Sequence, residues 1–436
     1  MPALPASSSY KKPTVHRLLS RSGAGRALAS LLLTATASAA PVLTEVEGVR
    51  QLCSRGPNAA LALARRLQGS AEVTAASVLP NPSLLIEHQR TLSGPRERET
   101  VVGLSVPIAV SGRRGLLQDA AAAHRERAFA DADVTSFASA LAFREAYLTA
   151  LKERGRAEIL GEQQLALEAS SAAIEALAKG GEAAGYDLLR QQVQTRSHRG
   201  LLESARSRAL GSRIALEAWT ESEIELPQVQ LSELADVGSA LSAGPAEPPT
   251  PRVRSLHAAA RAGALEARAA RRRWVPDPEV FAGYRGLDNT DLAHGLSLSL
   301  RLPLTFFDHG QGDAARADAE RLLAEASAEQ LSRRQRAEAR AARARLQQLV
   351  SGISDLGRAR SDAQALSSQA QRLYSAGEVS ITEVLEAFRA AEDARLTELD
   401  RAFEIALAKI DVMRATGTLF DPNLDQACKH PEQNKR

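Results

Sequence analysis

The sequence predicts a mainly α fold with a small β part, built twice over in one chain. Three observations carry this prediction. The chain matches itself at a constant shift of 196 residues: Pro80 with Pro276, Pro107 with Pro303, Gly181 with Gly377 and Leu189 with Leu385. Two long stretches rich in Ala, Glu, Arg and Leu, 113–179 and 311–374, contain no proline. Four short stretches alternate apolar and polar residues with period two, the signature of strands with unlike faces.

In chain order, residues 1–39 read as a signal peptide. Lys11, Lys12, Arg17, Arg21 and Arg26 form a basic region without acids, "ALASLLLTATA" (27–37) is an apolar run, and "ASA" (37–39) is a small-residue end. Losing those five positive charges takes the formal net charge from +3 to −2, so net charge gives no support to nucleic-acid binding. No cysteine stands directly after the cleavage site, where Ala40 is found, and no segment has about 18 consecutive apolar residues, so neither a lipid anchor nor a transmembrane helix is expected. Cys53 and Cys428 are the two cysteines, and an oxidising compartment would allow them to pair.

The first repeat covers 40–241. A short helix around 57–77 leads to "LPNP" (79–82) and a β-hairpin at about 83–108. A long helix then runs from about Arg113 to Lys179, a tip turn spans 180–186, and a second helix follows. At 1.5 Å per residue the long helix would reach ~100 Å, too long for the inside of one globule, so it must pack lengthwise on partners. The Pro-rich stretch 242–252, "SAGPAEPPTPR", reads as a linker. The second repeat, 253–420, has the same order: a short helix at about 252–273, "VPDP" (275–278), a β-hairpin at about 279–304, a long helix from about Gln311 to Tyr374, a tip at 375–380 and a last helix. In that last helix Leu396, Leu399, Phe403, Ala406, Ile410 and Met413 are spaced 3, 4, 3, 4, 3, a coiled-coil seam. Residues 421–436 form a tail.

The strand candidates are Ser83–Thr91, Thr100–Ile108, Glu279–Gly286 and His294–Leu304. In the fourth, Leu296, Leu298, Leu300 and Leu302 share one face, opposite Gly295, Ser297, Ser299 and Arg301. Nine to eleven residues suit a tilted strand crossing a bilayer, and apolar-out, polar-or-small-in is the pattern of a membrane barrel. A small soluble sheet packed on a helix is the competing reading. Four strands cannot close, and open edges are forbidden in lipid because each unpaired backbone group costs several kcal/mol. If the strands span a membrane, several chains share one barrel. Two chains would give eight strands and a filled interior, three would give twelve and a channel, and strand count alone does not choose.

Catalytic and metal signals are poor. The eight histidines are scattered, with no His-x-x-His or Cys-x-x-Cys spacing, no Gly-x-Ser-x-Gly and no phosphate-cradling glycine loop. No enzyme, cofactor or metal site is expected.

The order of these parts, with "PNPSL" (80–84), "GLSVPIAVSGRRG" (103–115) and "YSAGEVSITEVLEAFRAAEDARL" (374–396), resembles the TolC family of outer-membrane efflux proteins over nearly the whole mature chain. The "SVPIAVSGRR" segment is most similar to the heavy-metal, CzcC-like branch. The resemblance implies a homotrimer, with twelve strands forming an open barrel in the outer membrane and twelve helices forming a periplasmic α-barrel. It implies passive exit of substrates as the channel of a tripartite system, with a periplasmic adaptor protein and an inner-membrane resistance-nodulation-division pump. A duct for type I secretion is the alternative within the family, and a soluble periplasmic coiled-coil scaffold or adaptor the alternative outside it. By resemblance, Gly180, Gly181 and Glu182, and Ala376, Gly377 and Glu378, are the adaptor-docking tips. Glu383 and Glu386 match acids that ring the narrowest aperture, although Ser380 and Glu383 also read as a capping box. Asp187 and Tyr374 match positions that tie neighbouring helices shut, while Val379 stands where the family has a basic partner.

Overall fold

In the computed structural model the two predicted hairpins meet in one antiparallel sheet. The structure describes residues 42–92, 98–180, 184–235, 238, 240, 249–288 and 292–429. The predicted signal peptide lies outside them, as do most of the linker and the end of the tail.

Two helices come first among the described residues, α1 (Glu45–Arg55), capped by the Thr44 hydroxyl, and α2 (Pro57–Ser77), which has proline in its first turn. Strands β1 (Ser83–Arg90) and β2 (Arg98–Pro107) follow, then α3 (Arg113–Lys179), α4 (Gly185–Thr220) and the short α5 (Leu231–Ala235). The second half repeats this order. Helix α6 (Pro251–Arg271) and a single 3₁₀ turn precede β3 (Glu279–Asp288) and β4 (Leu292–Arg301). Helix α6 starts on Pro251, capped by Thr250, so the last residues of the Pro-rich stretch are already helical. Then come α7 (Gln311–Ser351), α8 (Ile353–Ser375), α9 (Ile381–Thr416) and α10 (Pro422–Lys429).

Two differences from the sequence reading stand out. The second long helix is not continuous: Gly352, flanked by Ser351 and β-branched Ile353, interrupts it between α7 and α8. Glycine costs about 1 kcal/mol against alanine within a helix, and β-branched neighbours add little to hold the turn together. Strand β4 also begins earlier and ends at Arg301, so Leu302 lies beyond it. Pro303 has no N–H to give a ladder and restricts the residue before it.

Helix α3 is the spine. Near the sheet it packs between α2 and α6, with α7 beyond α6; further along it packs between α4 and α9, with α8 beyond α9. The sheet-proximal layer buries mostly alanines, among them Ala62, Ala120, Ala130, Ala132, Ala258, Ala262 and Ala328, which let helix axes approach closely. Asp133 of α3 is shared there by Arg66 of α2 (2.8 Å) and Arg254 of α6 (3.0 Å). The main core lies midway. Leu399, Phe403, Ala406, Ile410 and Met413 of the predicted seam are buried against Leu141, Phe143, Tyr147, Leu148 and Leu151 of α3. Leu43, α1 and α10 complete this core, and a Cys53–Cys428 disulfide joins α1 to α10 across 375 residues of sequence.

The sheet order is β1-β2-β3-β4, with β2 and β3 joining the two repeats. Its register puts Ile86, Val102, Tyr284 and Leu296 in one row and Leu84, Leu104, Ala282 and Leu298 in the next, on the same face. That face is open: Leu296 is 86% exposed and Leu298 76% exposed. The other face carries Gly103 directly opposite Gly283, with the buried Phe281 ring over both. A Cβ on Gly103 would stand 2.5 Å from both the Ala282 carbonyl oxygen and the Gly283 Cα, so the tight curl at the β2–β3 junction requires glycine.

Candidate functional site

The helical end away from the sheet is built from two chain reversals. At the second, Gly377 has φ +77° and closes the end of α8. Its N–H donates to Tyr374 O (3.0 Å) while the Glu378 N–H donates to Leu373 O (3.0 Å), a Schellman motif that satisfies carbonyls the helix leaves free. The Ser380 side chain then caps α9, and the Glu383 carboxylate accepts from the Ser380 N–H at 2.8 Å. The capping box anticipated from Ser380-Ile-Thr-Glu383 therefore engages Glu383 directly. At the first reversal α3 ends at Lys179, Gly180 caps it, and α4 begins at Gly185. Gly181 and Glu182 lie outside the described residues.

One apolar cluster binds the two reversals together. Leu167 and Ile174 of α3, Ala370 of α8, and Ile381, Val384, Leu385 and Phe388 of α9 are buried in it, with Leu188 of α4 at its margin. Glu383 and Glu386 project from the opposite, exposed side of α9. Polar links flank the cluster. The Tyr374 hydroxyl is 3.5 Å from the Asp187 carboxylate, Arg190 donates to the Thr382 hydroxyl at 2.8 Å, and Arg389 donates to the Gln194 side chain at 2.6 Å. Burial, then the Asp187 charge, raises the Tyr374 phenol above its usual range. The structure thus brings Asp187 and Tyr374 together. The links through Arg190 and Arg389 escaped the sequence reading, although Arg190 stands one helical turn from Asp187, a signal that was available.

Farther along the bundle lies a buried polar layer that no motif announced. His198 of α4 is 2% exposed; its Nδ1 is 2.9 Å from Oε1 of Gln164 on α3, and its Nε2 is 3.2 Å from the Glu392 carboxylate on α9. Gln164 also donates to Glu168 at 2.8 Å, and Arg199 reaches the same Glu168 oxygen at 2.7 Å. Gln191, fully buried, donates to Leu167 O at 3.0 Å. Among the described residues no group of three His, Cys, Asp or Glu side chains could hold a metal ion, and no helix is long and apolar enough to cross a membrane.

At the sheet end, Asp277 of the "VPDP" segment accepts from the Val110 and Ser111 N–H groups, both at 2.8 Å. The Pro-x-Pro element of one repeat thereby pins the strand-to-helix junction of the other.

No protein-family model matches the sequence, and none of the curated proteins does. Solved structures do match. The chain is similar to CusC, a protein described as forming a transmembrane channel, with a TM-score of 0.68 at 19% identity over 86% of this chain and 92% of that one. It is similar to the outer-membrane protein VceC from Vibrio cholerae, with a TM-score of 0.68 at 14% identity over 86% of this chain and 97% of that one. It is also similar to the open state of the MtrE outer-membrane channel from Neisseria gonorrhoeae, with a TM-score of 0.65 at 14% identity over 86% and 89%. In its duplicated helical hairpins and, among the described residues, one four-stranded sheet, the chain has the fold of these proteins.

Proposed function

We propose that the chain is one subunit of a trimeric outer-membrane channel that gives substrates passive exit through a tripartite efflux system. The sheet is the observation that carries this reading. Its leucine face is exposed rather than packed on a helix, its two outer strands are open edges, and its four connections to helices all leave at one end, the longest helix reaching ~100 Å. A soluble scaffold would bury such a face. A bilayer covers it, and pairing β1 with β4 of the next chain removes the edges. Three chains then supply twelve strands, wide enough for a water-filled lumen lined by the glycine- and serine-rich side of β4. The solved channels that share this fold support the location and the conduit.

In this reading the helical tips, Gly180 to Glu182 and Ala376 to Glu378, dock a periplasmic adaptor serving a resistance-nodulation-division pump. Glu386, exposed and without an ion-pair partner among the described residues, forms an acidic ring with its two symmetry copies at the aperture, flanked by Glu383. Such a ring favours cations. Cell fractionation with unheated gel electrophoresis tests the assembly. A detergent-resistant trimer in the outer membrane is expected, and a soluble monomer would overturn the proposal. Planar-bilayer recording tests the ring: Glu386→Gln should lower cation preference more than Glu383→Gln, whose carboxylate is already committed to the helix cap. Unchanged selectivity in both variants would remove the ring.

A further inference from the structure

All four helical connections leave the sheet at the same end. Strands β1 and β3 begin there, and β2 and β4 end there. At that level Val78, Leu79, Trp274, Leu304, Phe306 and Phe307 stand exposed, Phe307 by 94% and Trp274 by 65%. Burial of such large apolar side chains is favourable, so leaving all six in water would forgo much stabilisation.

These side chains do not sit on a loose tail. The Thr305 hydroxyl donates to the Trp274 carbonyl at 3.2 Å, and Arg273 bridges Asp308 (3.1 Å) and Asp313 (2.8 Å). The Asp308 carboxylate also accepts the Gly310 N–H at 3.0 Å, which, with Arg273, holds its pKa down. The segment is braced against the 3₁₀ turn that follows α6, with its two phenylalanines exposed. It follows the exposed Leu302 and Leu304 just beyond the end of β4 and ends where the charged helix α7 begins. Aromatic residues at that boundary are the arrangement found at bilayer interfaces.

Charge supplies the second observation. Three consecutive arginines precede Trp274. Arg271 is paired with Asp318, and Arg273 with Asp308 and Asp313. Arg272 and Arg268, one helical turn apart, are exposed and have no ion-pair partner among the described residues. The positive charge left over at this level therefore lies within six residues of the aromatic collar. Guanidinium groups bind phosphate oxygens in bidentate fashion.

We propose that this collar binds the phospholipid headgroups of the leaflet on the helical side. Trp274, Phe306 and Phe307 sit at the boundary between headgroups and acyl chains, and Arg268 and Arg272 pair with lipid phosphates, with a preference for anionic lipid. This rests on the reading of the sheet as membrane-spanning.

The chain has two tryptophans, Trp219 and Trp274, so fluorescence isolates the site. The full chain carrying Trp219→Phe is reconstituted into vesicles of phosphatidylethanolamine with or without phosphatidylglycerol, containing lipid with a nitroxide either near the headgroup or deep in the acyl chain. Trp274 emission should be quenched several-fold more by the shallow nitroxide, and more in vesicles with phosphatidylglycerol. Arg268→Gln with Arg272→Gln should abolish that lipid preference. If Trp219→Phe fails to assemble, the difference between the natural chain and Trp274→Phe gives the same reading. Leu298→Trp, in a chain with both natural tryptophans replaced, reports on the sheet itself. Deep quenching of that reporter with no quenching of Trp274 would overturn the collar and leave the channel standing. Quenching of neither would overturn both. Equal quenching of Trp274 with and without phosphatidylglycerol would remove the arginines from the site.

Discussion

Replacing Leu298 by lysine tests the central claim about the sheet. Strand β4 has ten residues, so at ~3.3 Å per residue it runs ~33 Å, and tilted by ~45° it crosses ~23 Å, close to an outward apolar band of about 25 Å. Leu298 lies in the middle of that span, in the row formed with Leu84, Leu104 and Ala282. A lysine facing lipid near the midplane of a barrel costs about 2–4 kcal/mol, a factor of roughly 30 to 900 per chain in the folding equilibrium. Closing one barrel from three chains incurs the cost three times. The control is Ser299→Lys, one residue along on the other face and also exposed, where the lysine meets the lumen. The assay is folding into vesicles from urea, followed by the unheated-gel oligomer band across a denaturant series. Leu298→Lys should lose the band under conditions where Ser299→Lys keeps it. Equal loss in both, or loss only in Ser299→Lys, would refute the assignment of lipid to the leucine face.

Three further outcomes follow from the geometry. Gly103→Val should prevent assembly, because its Cβ would stand 2.5 Å from the Ala282 carbonyl oxygen, whereas Gly295→Ala, whose Cβ meets nothing within 4 Å, should assemble normally on the same gel. Removing the disulfide with Cys53→Ser and Cys428→Ser should destabilise the mid-bundle core by about 2–5 kcal/mol, read as a lower melting temperature by circular dichroism. An unchanged melt would mean the bond constrains nothing. The raised Tyr374 phenol means that the folded state holds this proton more tightly than the unfolded chain does. Its stabilising contribution is fully present below the ordinary phenol range near 10 and is lost as pH rises through the higher folded value. Asp187→Asn should move the Tyr374 absorbance titration downward; a titration that does not move would show that Asp187 has no effect on Tyr374.

What the sequence made legible was whatever period and repetition encode locally. Period-two alternation located the four strands to within a few residues, and the absence of proline marked α3. The seam from Leu399 to Met413 was readable because coiled-coil spacing is a local property. What stayed hidden depends on distant parts of the chain. The pairing of β2 with β3 joins residues about 180 apart, and nothing in either hairpin alone sets that register. Asp277 looked like half of a Pro-x-Pro repeat, and its work on Val110 and Ser111 is visible only once both junctions share one end of the sheet. The break at Gly352 was a local signal, overlooked because the surrounding composition is so strongly helical.

The polar layer around His198 explains how helices of such uniform composition hold one register. Above and below it the contacts are apolar: Leu160, Leu202 and Ala205 on one side, and Leu167, Val384, Leu385 and Phe388 on the other. Apolar side chains of similar size are poor at rejecting a slip of one turn, because a shift of ~5.4 Å brings equivalent groups into contact. His198 and Gln164 reject it, since such a slip would leave a buried imidazole and a buried amide without each other, at about 1–3 kcal/mol for each, and would part His198 from the partly buried Glu392 carboxylate. The layer is ~24 Å from Gly180 along α3, yet it fixes the alignment of α4 against α9 all the way to the tip. There the same register sets Arg190 against Thr382 and Asp187 against Tyr374. A buried histidine that reads as isolated in sequence is thus a condition for the geometry of the end where the aperture is proposed to lie.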